Sequence, residues 1–284
     1  MHPWLACVPV RAEQYWQAAL ARSRTATAEG ALVPLQTAVV PAAGWDPFVL
    51  RRLLGATPKH LRAAGPKPNP FLPWDRALEV DRLTGGHVLL LNKYPVQPGH
   101  VLVIPSEWRP QSGWLEPADW EAVLQVDTDT TGLWFFNSCA AAGASQPHRH
   151  LQLLPRASGE PVCPLEPQLL DRLQGKAGRP AMAWAHALSP RTDPGNPAEL
   201  EALYLQHCQA LGLGCPQHDP QPKHPYNLLF GQRWLFTIRR SHEHCAGFSV
   251  NALGFAGYLL ATEVSDLNWL KSHGPWHLLA EVGS

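Results

Sequence analysis

The sequence has no run of about 18 apolar residues, so it predicts no membrane-spanning helix. It has no excess of either charge: Lys plus Arg number 23 and Asp plus Glu number 23. A balanced chain is not a polybasic binder of nucleic acid or of membrane surfaces, so a polyanionic ligand must be met by a local constellation. Charged residues are only 16%, below the usual quarter. Its 12 Trp, 8 Phe and 5 Tyr nonetheless argue against disorder. No C-x-x-C is present, and the six cysteines (7, 139, 163, 208, 215 and 245) are scattered. The first residues lack a basic stretch followed by an apolar one, so no secretory signal is expected. Free thiols and a cytoplasmic location follow as the expectation.

What is present in excess is proline, 29 of 284 residues. That is roughly twice the average usage of about 5% and predicts many fixed loops. Helical periodicity is read at 11–23 and 116–127, and strands at His87–Asn92, His100–Ile104, Leu133–Asn137 and His148–Leu154. The stretch 155–197 carries eight prolines and one helical run near 165–174. It reads as a linker, giving an N-terminal domain 1–160, a Pro-rich linker 161–197 and a C-terminal domain 198–284. A helix near 198–211 and a hairpin at 226–238, turning at Gly231-Gln232, follow. Helical periodicity is then read through 249–271.

The chemistry concentrates in G-A-S-Q-P-H-R-H-L-Q-L-L-P at 143–155. Side chains alternate along a strand, so His148, His150 and Gln152 share one face, spaced about 6.5–7 Å apart. Leu151 and Leu153 suit a core on the other face. The small-residue loop Gly143, Ala144, Ser145 and Gln146 can turn backbone N–H groups towards an anion. A neutral imidazole near pH 7 is a competent nucleophile. H-x-H alone also fits a hydrogen-bonded surface pair, or two of the ligands of a zinc site that would need more. The preceding loop and the Gln favour phosphate chemistry.

The 143–152 segment closely resembles the signature of ATP adenylyltransferases, also called diadenosine tetraphosphate phosphorylases. These form the branch of the histidine-triad superfamily with Gln at the third triad position. The resemblance continues in order through F-V-L-R-R at 48–52, N-P-F-L-P-W at 69–74, L-L-L-N-K-Y-P-V at 89–96, F-F-N at 135–137, Y-N-L-L at 226–229 and S-V-N-A-L-G-F-A-G at 249–257. It implies an α+β, histidine-triad-like fold of antiparallel sheets and flanking helices, with two such halves sharing one cleft. It also implies a covalent adenylyl-histidine on His150, with His148 orienting it or touching phosphate and Gln152 bonding the α-phosphate. Lys59, Asn92 and Lys93 would meet the polyphosphate, and Asn137 the ribose or a phosphate. Residues Gly143 to Gln146 would wrap the phosphates, and Asn251, Ala252, Leu253 and Tyr258 would line the site from the C-terminal half. A helix N-cap is the rival reading of Asn251. The chain departs from the pattern at Arg149, Arg239 and Thr262; the last stands where a basic residue is frequent.

The implied partners are diadenosine polyphosphates, ATP, ADP and inorganic phosphate; the sequence leaves the oligomeric state open, and a monomer is favoured. Mg²⁺ should accompany the nucleotide to neutralise polyphosphate charge. No structural zinc is expected, because the C-x-x-C of the related galactose-1-phosphate uridylyltransferases is absent. A Gln at the third position cannot donate a proton to a leaving group, which favours transfer to phosphate over hydrolysis. The competing readings are a hexose-1-phosphate nucleotidylyltransferase and a non-catalytic dinucleotide sensor.

Overall fold

The computed structural model describes residues 11–41, 44–55, 69–178 and 181–284. In chain order come helix α1 (Gln14–Ala28) and strands β1 (Thr37–Val39), β2 (Val49–Leu53), β3 (Glu79–Leu83), β4 (His87–Leu91) and β5 (Val101–Pro105). Helix α2 (Pro117–Asp127), β6 (Gly132–Asn137), β7 (Leu151–Pro155), α3 (Glu166–Leu173), β8 (His186–Pro190) and α4 (Pro197–Ala210) follow. The chain closes with β9 (Tyr226–Phe230), β10 (Trp234–Arg239), β11 (His244–Cys245), β12 (Phe248–Ser249), α5 (Ala252–Phe255), β13 (Tyr258–Ala261) and α6 (Leu267–Val282).

Eight strands form one antiparallel sheet in the order β3-β4-β5-β7-β6-β9-β10-β8. Strand alternation gives the sheet two apolar faces. One face carries Leu89, Val103, Trp134, Phe136 and Leu151, and packs on α1, α2 and α4. Trp134 stacks on Phe230, with ring centroids 5.8 Å apart and planes 3° from parallel. The opposite face divides. Its C-terminal end packs Phe135, Leu154 and Phe236 against α3, α5, α6 and the small sheet β1-β2-β13. Its N-terminal end packs Leu90, Leu102 and Ile104 under Phe71 and Trp74. The strip between those two clusters holds the H-x-H-x-Q segment.

Three expectations change. The segment 161–197 is more than a connector: besides the helical run expected near 165–174, which is α3, it supplies the edge strand β8, paired with β10 from Trp234↔Pro190 to Ile238↔His186. The two halves share a single sheet, joined where β6 pairs β9 from Trp134↔Phe230 to Asn137↔Asn227. The region 249–271 is not one helix. Gly257, at φ 100°, turns the chain out of the short α5 into β13, which pairs β2 in parallel. The large sheet is otherwise as antiparallel as expected.

A buried arginine fastens the C-terminal half to this frame. Arg240 is 1% exposed, and among the described residues its guanidinium forms no ion pair with a carboxylate. It donates through Nε to the Val282 carbonyl (2.9 Å) and through Nη2 to the carbonyls of His242 (2.8 Å) and Val250 (2.9 Å). Its Nη1 reaches Asn227 Oδ1 and the Ala142 carbonyl. Burial pushes its pKa down to about 10, so it remains charged at neutral pH. Removing it strands several buried acceptors. Arg240→Leu is therefore expected to cost about 3–5 kcal/mol in urea unfolding. A loss under about 1 kcal/mol would mean that these carbonyls find other donors.

Candidate active site

The ladder between β5 and β7 runs only from Val101↔Leu153 to Val103↔Leu151. The expected strand through His148 is thus shorter, and residues 148–150 lie beyond its end, held by a single bridge from Pro110 to His148. The Arg149 N–H donates to the Arg109 carbonyl (2.9 Å), while the two histidines on either side of it bond elsewhere. The His148 Nε2–H donates to the Pro105 carbonyl (2.9 Å). The His150 N–H donates to Gln111 Oε1 (2.8 Å). The alternation read from sequence survives: Phe71 lies against both imidazoles, at 5.9 Å and 5.6 Å between centroids. Arg149 points the other way, to Asp119 (2.8 Å) and Glu116 (3.2 Å).

His150 has one defined tautomer. Its Nδ1 lies 2.8 Å from the His148 carbonyl, which only accepts, so Nδ1 carries the hydrogen and Nε2 keeps its lone pair. Burial pushes the His150 pKa down to about 4. His148 is also lowered, again by burial. Its contribution to His150 is made by its backbone carbonyl, while its own ring packs between Phe71 and Trp108. Gln152 accepts through Oε1 from His100 Nε2 (3.1 Å).

The loop at 143–146 meets the C-terminal half here. Gly143 sits at φ 87°, and a Cβ there would fall 2.6 Å from the Asn251 Cβ. The N–H groups of Gly143 and Ala144 are spent inside the turn, on the Ala140 (2.8 Å) and Cys139 (3.0 Å) carbonyls. The expected cradle of four residues therefore reduces to Ser145 and Gln146. Among the described residues the N–H groups of these two make no backbone bond, and Gln146 Oε1 has no partner.

Several expected ligand residues have structural duties instead. Asn137 Oδ1 accepts from Asn227 Nδ2 (2.8 Å) and from the Ala252 N–H (2.9 Å). Ala252 is fully buried, so its N–H is not offered to a ligand. Asn251 does cap α5, accepting from the Leu253 N–H (2.9 Å), and Leu253 is half-buried. Asn92 donates to His100 Nδ1 (3.0 Å). Lys93 is exposed, 6.0 Å from the Tyr94 ring centroid. The Tyr258 hydroxyl accepts from Arg156 Nη2 (2.9 Å), one residue past β7. Lys59 lies outside the described residues.

This arrangement matches known proteins along most of the chain. Residues 7–171 fit the model of the Ap4A phosphorylase N-terminal domain, and residues 180–284 that of the ATP adenylyltransferase C-terminal domain, Ap4A being diadenosine tetraphosphate. The chain belongs to the Ap4A phosphorylase family. As a member it is an enzyme. Diadenosine 5',5'''-P1,P4-tetraphosphate phosphorylase 2 of Saccharomyces cerevisiae is 25% identical over 228 residues, which are 70% of this chain and 70% of that protein. Protein APA1 of the same yeast is 26% identical over 195 residues, 61% of this chain and 60% of its own length. Crystal structures of yeast Ap4A phosphorylase Apa2 share the fold. The form with AMP has a TM-score of 0.74 at 24% identity, over 96% of this chain and 98% of that one. The form with Ap4A has a TM-score of 0.71 at 22% identity, with the same coverage.

Sequence reading missed four residues of this Ap4A phosphorylase-family site. His100 supports Gln152. Gln111 holds the His150 N–H and donates to the Asn137 carbonyl (2.6 Å). Asn227 and Arg240 continue the chain of bonds into the C-terminal half. His100 followed by an apolar run was legible only as the start of a strand, and the other three bond to residues far away in sequence.

Burial also sets a pH limit on the fold. His100, His150 and His207 are each pushed down to about 4, burial being the first cause in every case. Unfolded imidazoles titrate near 6.5, so between about 6.5 and about 4 the unfolded chain binds protons that the folded chain refuses. Stability should then fall as pH drops through that window. The melting temperature is expected to be lower near pH 5 than near pH 7, and His207→Asn should reduce the difference. A melting temperature flat across that range would show that these rings titrate normally.

Proposed function

We propose that the chain catalyses reversible phosphorolysis of diadenosine tetraphosphate, with inorganic phosphate, to ATP and ADP. The observation that carries this reading is the His150 tautomer, with Nδ1–H held by the His148 carbonyl and Nε2 making no hydrogen bond among the described residues. In the first step the Nε2 lone pair attacks the α-phosphorus. The bond to the bridging oxygen breaks, and ATP departs with that electron pair. The ring keeps its Nδ1 hydrogen, and the His148 carbonyl stabilises the positive charge that develops on the imidazole. An oxygen of inorganic phosphate then attacks the same phosphorus. The P–N bond breaks, its electrons return to Nε2, and ADP leaves. Gln152 Nε2 and the N–H groups of Ser145 and Gln146 are the donors for the phosphorane-like oxygens.

The donors around His150 are imidazole, amide, hydroxyl and backbone groups. Among the described residues no group of three or more His, Cys, Asp or Glu is arranged to hold a metal. These residues do not fit a protein-held cation, so Mg²⁺ travels on the nucleotide's own phosphates and no step is routed through it. Buried, unpaired thiols at Cys163 and Cys208 agree with work in a reducing compartment, the cytoplasm.

The test combines purified protein, Ap4A and Mg²⁺ with and without phosphate. Equal ATP and ADP that appear only with phosphate are expected. AMP and ATP independent of phosphate would make the chain a hydrolase, and no products would redirect attention to sugar phosphates or to binding without turnover. His150→Ala should lower turnover by roughly 10³-fold or more with the fold intact, and added imidazole should partly rescue His150→Gly. Gln152→His should raise the share of AMP, since a histidine there can serve a water molecule. An unchanged product ratio would reject this role for Gln152.

A further inference from the structure

We infer that His100 is a positioning residue that fixes which end of the Gln152 amide faces the reacting phosphate, and so selects phosphate over water as acceptor. The inference rests on the proposed reading of Gln152 as the amide beside the α-phosphate. It starts from a hydrogen bond that has only one direction. The Tyr94 backbone N–H donates to Asn92 Oδ1 (3.1 Å), and a backbone N–H cannot accept. Asn92 therefore turns Nδ2 to His100, 3.0 Å from Nδ1. A donor at Nδ1 requires a lone pair there, so the hydrogen of the neutral ring is on Nε2. That Nε2–H donates to Gln152, which must present Oε1 (3.1 Å).

The relay leaves Gln152 Nε2, with both its hydrogens, as the end available to a ligand. No bond within the described chain occupies it. Burial keeps the relay intact by holding His100 neutral, with its pKa down to about 4. The Phe135 ring lies 5.8 Å from the imidazole and fixes its plane. The consequence concerns the second half of the reaction. Water needs an acceptor for its proton as it attacks, whereas hydrogen phosphate is already an anionic nucleophile. The acceptor atom of Gln152, Oε1, is turned to His100, and one of its two lone pairs is engaged there. His148 Nδ1 keeps a free lone pair, but that ring is 0% exposed. Gln152 thus turns its NH2 to the ligand, where it serves phosphate oxygens, and keeps Oε1 on the His100 side, away from an attacking water.

The experiment partitions the adenylyl group between phosphate and water in His100→Phe, Gln152→Ala and the double variant, reading ADP against AMP. In His100→Phe, kcat for phosphorolysis is expected to fall about tenfold with a smaller change in KM, and the AMP:ADP ratio to rise about tenfold. The double variant should be no worse than Gln152→Ala, because both changes remove one function. His100→Gln, whose amide can still donate, should keep a ratio close to that of the wild type. Asn92→Ala should move the ratio in the same direction. An effect of Asn92→Ala confined to KM would mean direct ligand contact instead. Losses that multiply in the double variant, or an unchanged ratio in His100→Phe, overturn the inference. If the wild-type protein does not turn over Ap4A, the proposed function fails while the relay is still readable by ¹⁵N NMR. The relay then predicts an Nε2–H tautomer at His100 and Gln152 amide protons that shift in His100→Phe. An Nδ1–H tautomer would overturn it.

Discussion

The hydrogen bond from His150 Nδ1–H to the His148 carbonyl is the constraint around which this site is organised. It exists because the carbonyl is not used by a neighbouring strand. Strand β5 ends at Pro105, the ladder with β7 stops at Leu151, and the two histidines fall just beyond it. The Arg149 N–H still bonds a neighbouring backbone, at the Arg109 carbonyl (2.9 Å), but the His150 N–H is met by the Gln111 side chain. The bond also decides where the single imidazole proton sits. A shift from about 6.5 to about 4 opposes the charged ring by on the order of 3 kcal/mol, so the free Nε2 is unprotonated at neutral pH.

Leaving the ladder strands polar groups, and the chain satisfies them from far away. The His150 N–H is met by Gln111, which also bonds the Asn137 carbonyl. Asn137 is bonded by Asn227, and Asn227 by Arg240. This line crosses the β6–β9 junction, where the two parts of the chain become one sheet. The C-terminal half thus supports His150 through this line of bonds. A buried polar network of this kind specifies one geometry only when every member has a partner. Arg240, with each guanidinium nitrogen bonded to an oxygen, closes it.

What the sequence disclosed was local. Alternation at 148–152 located the imidazoles and the amide on one side and Arg149 on the other. Periodicity located α2, α3, α4 and the hairpin β9–β10 to within a few residues. The ordered blocks disclosed the family. What it withheld was non-local. Asn137 and Ala252 read as ligand contacts because they lie in matching blocks, yet they bond to each other across 115 positions of sequence. Gln111 carries no motif, and its role depends on a partner 39 residues away. The strand β13 was read as helix because Leu259 and Leu260 fit either period. Only the parallel pairing with β2, set by the turn at Gly257, decides between them.

The scarcity of charge noted at the outset has a counterpart in the chemistry. The groups proposed as donors to the phosphorus oxygens are neutral: an amide nitrogen on Gln152 and backbone N–H groups at Ser145 and Gln146. The nearest arginine in sequence, Arg149, is turned away and paired with Asp119. For a reversible transfer between two phosphate compounds this is an advantage. A dense ring of cations would bind ATP, ADP and the tetraphosphate alike, and binding that is equal in ground and transition states does not speed the chemical step. Neutral, directed donors act most on the oxygens that gain charge in the transition state. Their effect depends on direction, so the site needs the fixed amide and fixed tautomer that its buried neighbours supply.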